Sequence, residues 1–152
     1  MIKRCFAAGF VLVFCISCSL FSGLRKQSFT YKEGNQTQTL RLLVPKRYSK
    51  KEIFTDSAGN QQQLYRYRNG ALLYIIETTD TLAQFQPIDT ANNNPLLHPY
   101  GGLMYKGLDS TGLFWREIRT DSFRFGYRFV PDAAEYYFDS AVNYAGMRRF
   151  AK

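Results

Sequence analysis

Cysteine is absent from most of this chain, whose three cysteines, Cys5, Cys15 and Cys18, all lie within the first eighteen residues. The residues that follow therefore contain no intrachain disulfide, no cysteine ligand for zinc and no cysteine nucleophile. Histidine is almost as scarce, because His98 is the only one, and a single histidine cannot build the usual zinc site. The sequence predicts neither a metal centre nor a cofactor.

A hydrophobic run long enough to cross a membrane is also missing. The apolar stretch from Cys5 to Ser17 covers thirteen residues, whereas a membrane-spanning helix needs about 20. The stretch follows the positive charges of Lys3 and Arg4 and ends in small polar residues, which is the layout of a secretory signal peptide. The sequence therefore predicts a signal peptide over residues 1–17.

The end of this segment, Cys15-Ile16-Ser17-Cys18, resembles the lipobox of bacterial lipoproteins. The resemblance implies that Cys18 receives a diacylglycerol, that cleavage occurs just before it and that its new amino group is acylated by a fatty acid such as palmitate. Two or more acyl chains anchor a protein stably in a membrane. Ser19 stands where aspartate would retain a Gram-negative lipoprotein in the inner membrane, so the outer membrane is favoured. Cys15 occupies a position where leucine is usual, and secretion without a lipid is the alternative.

Acidic residues are few, since 12 Asp and Glu stand against 20 Lys and Arg, giving a net charge of +8. Loss of Lys3 and Arg4 with the signal peptide would lower this charge to +6. An exported basic protein meets anionic lipid head groups and acidic envelope polymers rather than nucleic acid. We therefore expect contact with the membrane through the lipid anchor, and an envelope protein or anionic polymer as a further partner. The alternative is that these cations only keep an aromatic-rich protein soluble.

Aromatic residues are abundant, with 13 Phe and 11 Tyr. Phe123, Phe125, Tyr127 and Phe129 recur at period two, which predicts a strand with an aromatic inner face and a basic outer face. Asn69-Gly70 predicts a two-residue type I′ hairpin turn, in which both residues take positive φ. The hairpin strands are predicted at 61–68 and 71–78, and further strands at 28–33, 37–44, 52–55, 100–107 and 113–119.

A helical pattern closes the chain. Asp132 and Glu135 have the spacing of a capping box, and apolar residues then recur at helical spacing until Gly146. This pattern predicts one helix from Ala133 to Ala145. The predicted fold class is α+β, a mostly antiparallel sheet of about seven or eight strands with one C-terminal helix. We expect a signal peptide (1–17), the lipidated cysteine with a tether (18–27) and a single domain (28–152).

Candidate chemical groups are few and scattered. A long loop is predicted over 79–99. No catalytic residue is assigned, because no Gly-x-Ser-x-Gly elbow is present, and no calcium site is assigned, because no EF-hand spacing is present. Paired acids near this loop could still hydrolyse a glycoside. Trp115 and Phe114 are adjacent in a predicted strand, so each face carries one large ring and one of the two rings is a candidate for exposure; the alternation does not decide which. The residues that we consider as a possible ligand or partner surface are Glu77, Asp80, Asp89, His98 and Trp115.

These observations predict a cell-envelope lipoprotein that is not an enzyme and acts as a binding or accessory protein. The alternative is a small periplasmic hydrolase of glycan or peptide that uses the loop acids or His98. A permanent structural subunit of an outer-membrane complex is a third interpretation, which differs from the first mainly in permanence.

Overall fold

The computed structural model describes residues 23–33, 35–55, 59–77, 95–97 and 102–150, the side chains of residues 33 and 146–150 excepted. These ranges contain nine strands and one helix: β1 (Leu24–Glu33), β2 (Gln36–Pro45), β3 (Tyr48–Thr55), β4 (Gln61–Tyr67), β5 (Leu72–Glu77), β6 (Leu96–Leu97), β7 (Leu103–Leu108), β8 (Phe114–Arg119), β9 (Phe123–Val130) and α1 (Asp132–Phe150). The predicted fold class is confirmed, because a mostly antiparallel sheet precedes a single C-terminal helix.

The strands form two sheets, and every pair is antiparallel. β1 and β2 pair only with each other, while the main sheet has seven strands in the order β3-β4-β5-β9-β8-β7-β6. The strands predicted at 52–55, 61–68 and 71–78 correspond to β3, β4 and β5, which form an antiparallel meander. Those predicted at 100–107 and 113–119 correspond to β7 and β8, which pair as a hairpin. The aromatic strand β9 lies between β5 and β8, so it occupies the middle of the sheet.

One hydrophobic core joins the two sheets and the helix. Alternate residues of the strands point into it, as the period-two pattern predicts. Its members include Phe29 of β1, Leu42 and Val44 of β2, Leu73 and Ile75 of β5, Phe125 and Tyr127 of β9, and Phe138, Ala141 and Val142 of α1. We call the side of the main sheet that carries this core the core face, and the other side the second face.

The β4–β5 turn differs from the predicted two-residue type I′ turn. The Tyr67 amide donates to the Ala71 carbonyl oxygen over 2.9 Å, so three residues, Arg68 to Gly70, form the loop. Only Gly70 among them has positive φ, at 85°. A three-residue hairpin loop needs one left-handed residue after a type I turn, and Gly70 is that residue. Asn69 does not take the positive φ predicted for it; its Oδ1 accepts a hydrogen bond from the Ala71 amide.

Strand β9 departs from strict alternation at Phe129. The β8–β9 register shifts opposite Trp115, and Phe129 lies there with φ of 58° and a ring that is 45 % exposed. Val130 takes the inward position beyond it. The prediction that Phe129 belongs to the inner aromatic face is therefore wrong, because a bulge inserts one extra residue into the strand.

Several elements extend beyond their predicted bounds: β3 begins at Tyr48 rather than at 52, and β6 lies within the loop predicted over 79–99. The start of β1 and the end of the helix also differ. β1 begins at Leu24, where Leu24 is buried and pairs with Pro45, so part of the predicted tether is a strand. The period-two pattern does not reveal this start, because Arg25 to Gln27 are all polar. The helix continues through Gly146 to Phe150; a glycine weakens a helix interior by roughly 1 kcal/mol but does not by itself end it.

Candidate functional site

The predicted surface residues that the structure describes are buried on opposite sides of the sheet. Glu77 ends β5 on the core face, where it is 4 % exposed and accepts a hydrogen bond from the Lys32 amide over 3.1 Å. Trp115 is 6 % exposed on the second face, and neighbouring Phe114 packs partly buried against the core. The remaining candidates, Cys18, Asp80, Asp89 and His98, lie outside the described residues.

The second face of the sheet is buried in its middle, although it is exposed towards its edges, as at Arg66 and Leu103. Leu64, Leu72, Tyr74 and Ile76 form a separate apolar cluster there, each at most 6 % exposed. The predicted basic outer face of β9 lies beside this cluster. Its Arg124 and Arg128 are therefore only partly exposed, and the middle of the sheet is buried on both faces.

A buried ionic cluster occupies the centre of this second face. Glu117 of β8 is fully buried and accepts hydrogen bonds from Tyr74 and Arg119. Arg124 of β9 donates from Nη2 to both carboxylate oxygens, each over 2.9 Å. The side chains of Arg124 and Arg119 are 13 % and 27 % exposed. The register accounts for this cluster, because Tyr74 pairs with Gly126 and Gly126 with Glu117, which puts both side chains in one row.

The partners of Glu117 keep it ionised. Burial alone would raise the pKa of Glu117, but hydrogen bonds from Arg124 and Tyr74, the charge of Arg124 and the hydrogen bond from Arg119 outweigh burial and hold the pKa below its ordinary value. Burial and the Glu117 charge raise the pKa of Tyr74, which stays a neutral donor. A carboxylate that solvent does not reach and whose pKa is lowered is a poor general base. The role of the cluster is therefore to hold β5, β8 and β9 together.

A second polar cluster joins the helix to the sheet. Arg116 of β8 forms an ion pair of 2.8 Å with Asp139 of α1, and the Tyr127 hydroxyl donates to Asp139 over 2.6 Å. The same arginine points two nitrogens at the Met104 sulfur, over 3.2 and 3.0 Å. These contacts fix the helix over β8 and β9.

An open basic groove lies at one end of the main sheet. It is a cavity of about 590 Å³ between the β2–β3 connection and the β4–β5 turn, lined by Lys46, Arg47, Tyr48, Ser49, Tyr67, Arg68 and Asn69. A neighbouring cavity of about 560 Å³ shares several of these residues and reaches Gly23 and α1. Lys46, Arg47 and Arg68 are exposed, and no carboxylate is among the described residues that line either cavity. We use the name basic groove for the two cavities together.

Backbone geometry sets the shape of the basic groove. Arg47 has φ of 66°, which turns the chain sharply between β2 and β3. The Tyr67 hydroxyl donates to the Pro45 carbonyl oxygen over 2.9 Å and ties β4 to the end of β2. The two connections are thereby held side by side, and their three cations converge on one opening.

The described chain begins beside this groove. The Lys46 amide donates to the Gly23 carbonyl oxygen over 2.8 Å. Tyr137 of α1 packs so closely on Gly23 that a Cβ there would lie 2.6 Å from its ring. Tyr136 and Tyr137 are 58 % and 43 % exposed and meet edge to face. This end of the domain thus combines exposed cations with exposed tyrosines.

Only part of this arrangement follows from adjacency in the sequence. The cluster of Lys46 and Arg47 between two strands is visible as a basic connection, whereas Arg68 joins it only because β3 and β4 pair. Glu117 had no local signal, because a single glutamate in an alternating strand is usually exposed. The flanking Arg119 and Arg124 were readable as cations, but not as its partners.

Comparison with known proteins gives no family or function: no family model, no curated protein and no solved structure matches this chain. Within the ranges described above, no helix is long and apolar enough to cross a membrane. Those ranges likewise contain no group of three or more His, Cys, Asp or Glu residues that could hold a metal ion.

Proposed function

We propose that this chain is a lipid-anchored protein of the bacterial cell envelope that acts by binding a partner rather than by catalysis. The anchor is Cys18, by resemblance of residues 15–18 to a lipobox. The binding surface is the basic groove. The observation that carries the proposal is the position of the groove, which lies beside Gly23, five residues after Cys18.

The described carboxylates of the main sheet support binding over catalysis. Glu117 is neutralised by arginines, Glu52 pairs with Lys50 and Arg66, and Glu77 is buried against a backbone amide. None of these three lines the groove. Cations and tyrosines facing an opening suit an anionic partner such as an envelope polymer, an acidic protein surface or a lipid head group.

Metabolic labelling with a fatty acid tests the anchor. We expect the wild-type chain to incorporate the label in a bacterial host and Cys18→Ala to incorporate none, because only this thiol can carry the diacylglycerol in the proposed scheme. Cys15→Leu is the matched control, since it removes a cysteine but restores the usual lipobox residue, and it should label like the wild type. Labelling of Cys18→Ala would contradict the anchor.

Site-specific photocrosslinking in whole cells tests the binding surface. A photoreactive residue in place of Asn69, at the groove, should give a crosslinked product of higher mass. The same residue in place of exposed Asp121, in the β8–β9 turn at the other end of the sheet, is the control and should give none. Equal crosslinking from both positions would refute a specific surface at the groove.

A further inference from the structure

We infer that the basic groove binds the phosphate groups of anionic phospholipids, so that this end of the domain rests on the surface of the membrane that holds the anchor. The inference rests on the proposed function and names the ligand of its binding surface. It assigns a task to three cations, Lys46, Arg47 and Arg68, that make no contribution to the core.

The charges of the groove match a phosphate-bearing surface. Its three cationic side chains are exposed and converge without a described carboxylate among the lining residues. The fork of an arginine guanidinium matches phosphate oxygens in pairs, and a lysine adds a compact point charge. By contrast, Arg66 and Lys50 on the nearby strands β4 and β3 are already paired with Glu52. Cations remain available to a ligand at the groove.

The tyrosines beside the groove favour a membrane surface over a soluble anion. Tyr136 and Tyr137 project from the first turns of α1 and are about half exposed. A tyrosine has an apolar ring and a polar tip, and it concentrates where apolar and aqueous regions meet, as at the membrane–water interface. A free phosphate would need only the cations, whereas a bilayer surface accommodates both the cations and the rings.

The length of the connection keeps the groove near the bilayer. Gly23 is the fifth residue after Cys18, and an extended chain of five residues reaches at most about 18 Å. Gly23 bonds to Lys46 directly. A lipid on Cys18 would therefore keep this end of the domain within about 18 Å of the membrane surface. From there the groove can approach the head groups to within the Debye length of about 8 Å, where their attraction is only partly screened.

Vesicle binding of the full chain carrying Cys18→Ala tests the inference without any attached lipid. We compare sedimentation with vesicles of phosphatidylcholine that contain phosphatidylglycerol and with vesicles of phosphatidylcholine alone. The ratio of the two partition coefficients measures the attraction to anionic lipid. Lys46→Gln, Arg47→Asn and Arg68→Gln should each lower this ratio about fivefold, as expected for one cation at an anionic surface. Asparagine is chosen at position 47 because it tolerates positive φ.

The matched control is Lys32→Gln, which removes one exposed lysine at the opposite end of the sheet, where the Lys32 amide bonds to Glu77. It should leave the ratio within twofold of the parent chain. An equal fall for Lys32→Gln, or no preference for phosphatidylglycerol in the parent, would overturn the inference. Binding to soluble poly(glycerol phosphate) without binding to vesicles would also overturn it and assign the groove to an envelope polymer. Every variant has the same residues 1–17 and carries Cys18→Ala, so no variant has an attached lipid. These results therefore do not depend on whether Cys18 is acylated in cells.

Discussion

Among the described residues, Glu117 is a buried acid that binds two arginines at once. Its carboxylate is fully buried and neutralises Arg119 and Arg124 across two strands. Removing one partner of a buried ion pair costs far more than the pair itself contributes, because the remaining charge keeps its desolvation penalty. The buried centre of the second face therefore depends on Glu117.

We predict that Glu117→Gln lowers the free energy of unfolding by about 2–3 kcal/mol. This is at or below the lower limit of about 3 kcal/mol for a broken buried pair, because both arginines retain some exposure. Urea denaturation followed by circular dichroism measures the change. Glu52→Gln, which breaks the more exposed pairs with Lys50 and Arg66, is the control and should lose much less. Equal losses for the two variants would contradict the role of Glu117.

The pH dependence of stability in the wild type and Glu117→Gln separates the contribution of the Glu117 charge from the contribution of its packing. Because the pKa of folded Glu117 lies below its ordinary value of 4.5, its contribution to stability is complete above that value. The contribution is lost as pH falls from there through the lower pKa of the folded state. The stability gap between the wild type and Glu117→Gln should therefore narrow in acid. A gap that stays constant down to strongly acidic pH would indicate lost packing instead.

At the scale of elements, the contact between β8 and β9 depends on a residue without a side chain. A Cβ on Gly126 would lie 2.3 Å from the Arg116 carbonyl oxygen and 2.9 Å from the Tyr74 hydroxyl. The first neighbour is backbone and cannot move without separating the strands. Gly126 thus lets the two central strands pack closely beneath the ionic cluster.

We predict that Gly126→Ala destabilises the protein by about 2–3 kcal/mol, the upper range for overpacking. Thermal unfolding by calorimetry measures the effect. Gly112→Ala, in the β7–β8 turn, is the control, because a Cβ at Gly112 would meet no atom within 4 Å. Its only expected cost is the strain of an alanine at a φ of 78°, about 1 kcal/mol. A loss at Gly126 no larger than at Gly112 would show that the strands can separate at little cost.

Element boundaries show where the sequence was informative and where it was not. Alternating aromatics identified β9 and Asn69-Gly70 identified the β4–β5 hairpin, because both signals are local. The Phe129 bulge and the three-residue turn escaped prediction, since each depends on how the neighbouring strand aligns. The start of β1 at Leu24 escaped for a related reason, because only pairing with Pro45 reveals that Leu24 is buried.

At the scale of the whole molecule, one core joins two sheets and a helix that are far apart in sequence. Phe138 is central to this arrangement. It is 3 % exposed and meets the Tyr67 ring at 4.9 Å and the Tyr127 ring at 5.6 Å between centroids. It therefore links α1 to both β4 and β9.

We predict that Phe138→Ala lowers the free energy of unfolding by about 3–5 kcal/mol, the usual cost of truncating a buried phenylalanine. Tyr136→Ala on the exposed side of the same helix is the matched control and should stay within about 0.5–1 kcal/mol of the wild type. Chemical denaturation of both variants measures these changes. A small loss for Phe138→Ala would mean that the helix is not integral to the core.

The fold class was predictable because strand periodicity and the capping pattern of α1 each involve residues that are close together in the sequence. The candidate site was only partly predictable. Lys46 and Arg47 are adjacent in sequence, but Arg68, Tyr137 and Gly23 meet them through strand pairing and helix docking, which no local pattern encodes. The ionic partners of Glu117 come from two different strands for the same reason.

Trp115 gives the molecule an intrinsic optical probe. It is the only tryptophan in the chain, and its buried indole lies across Gly107, whose Cβ position would be 3.1 Å from the ring. Indole emission from the native protein therefore arises from one place, on β8 two residues from Glu117. A red shift under mild denaturant, before the far-ultraviolet signal changes, would mark opening of the β7–β8 edge as a step separate from global unfolding.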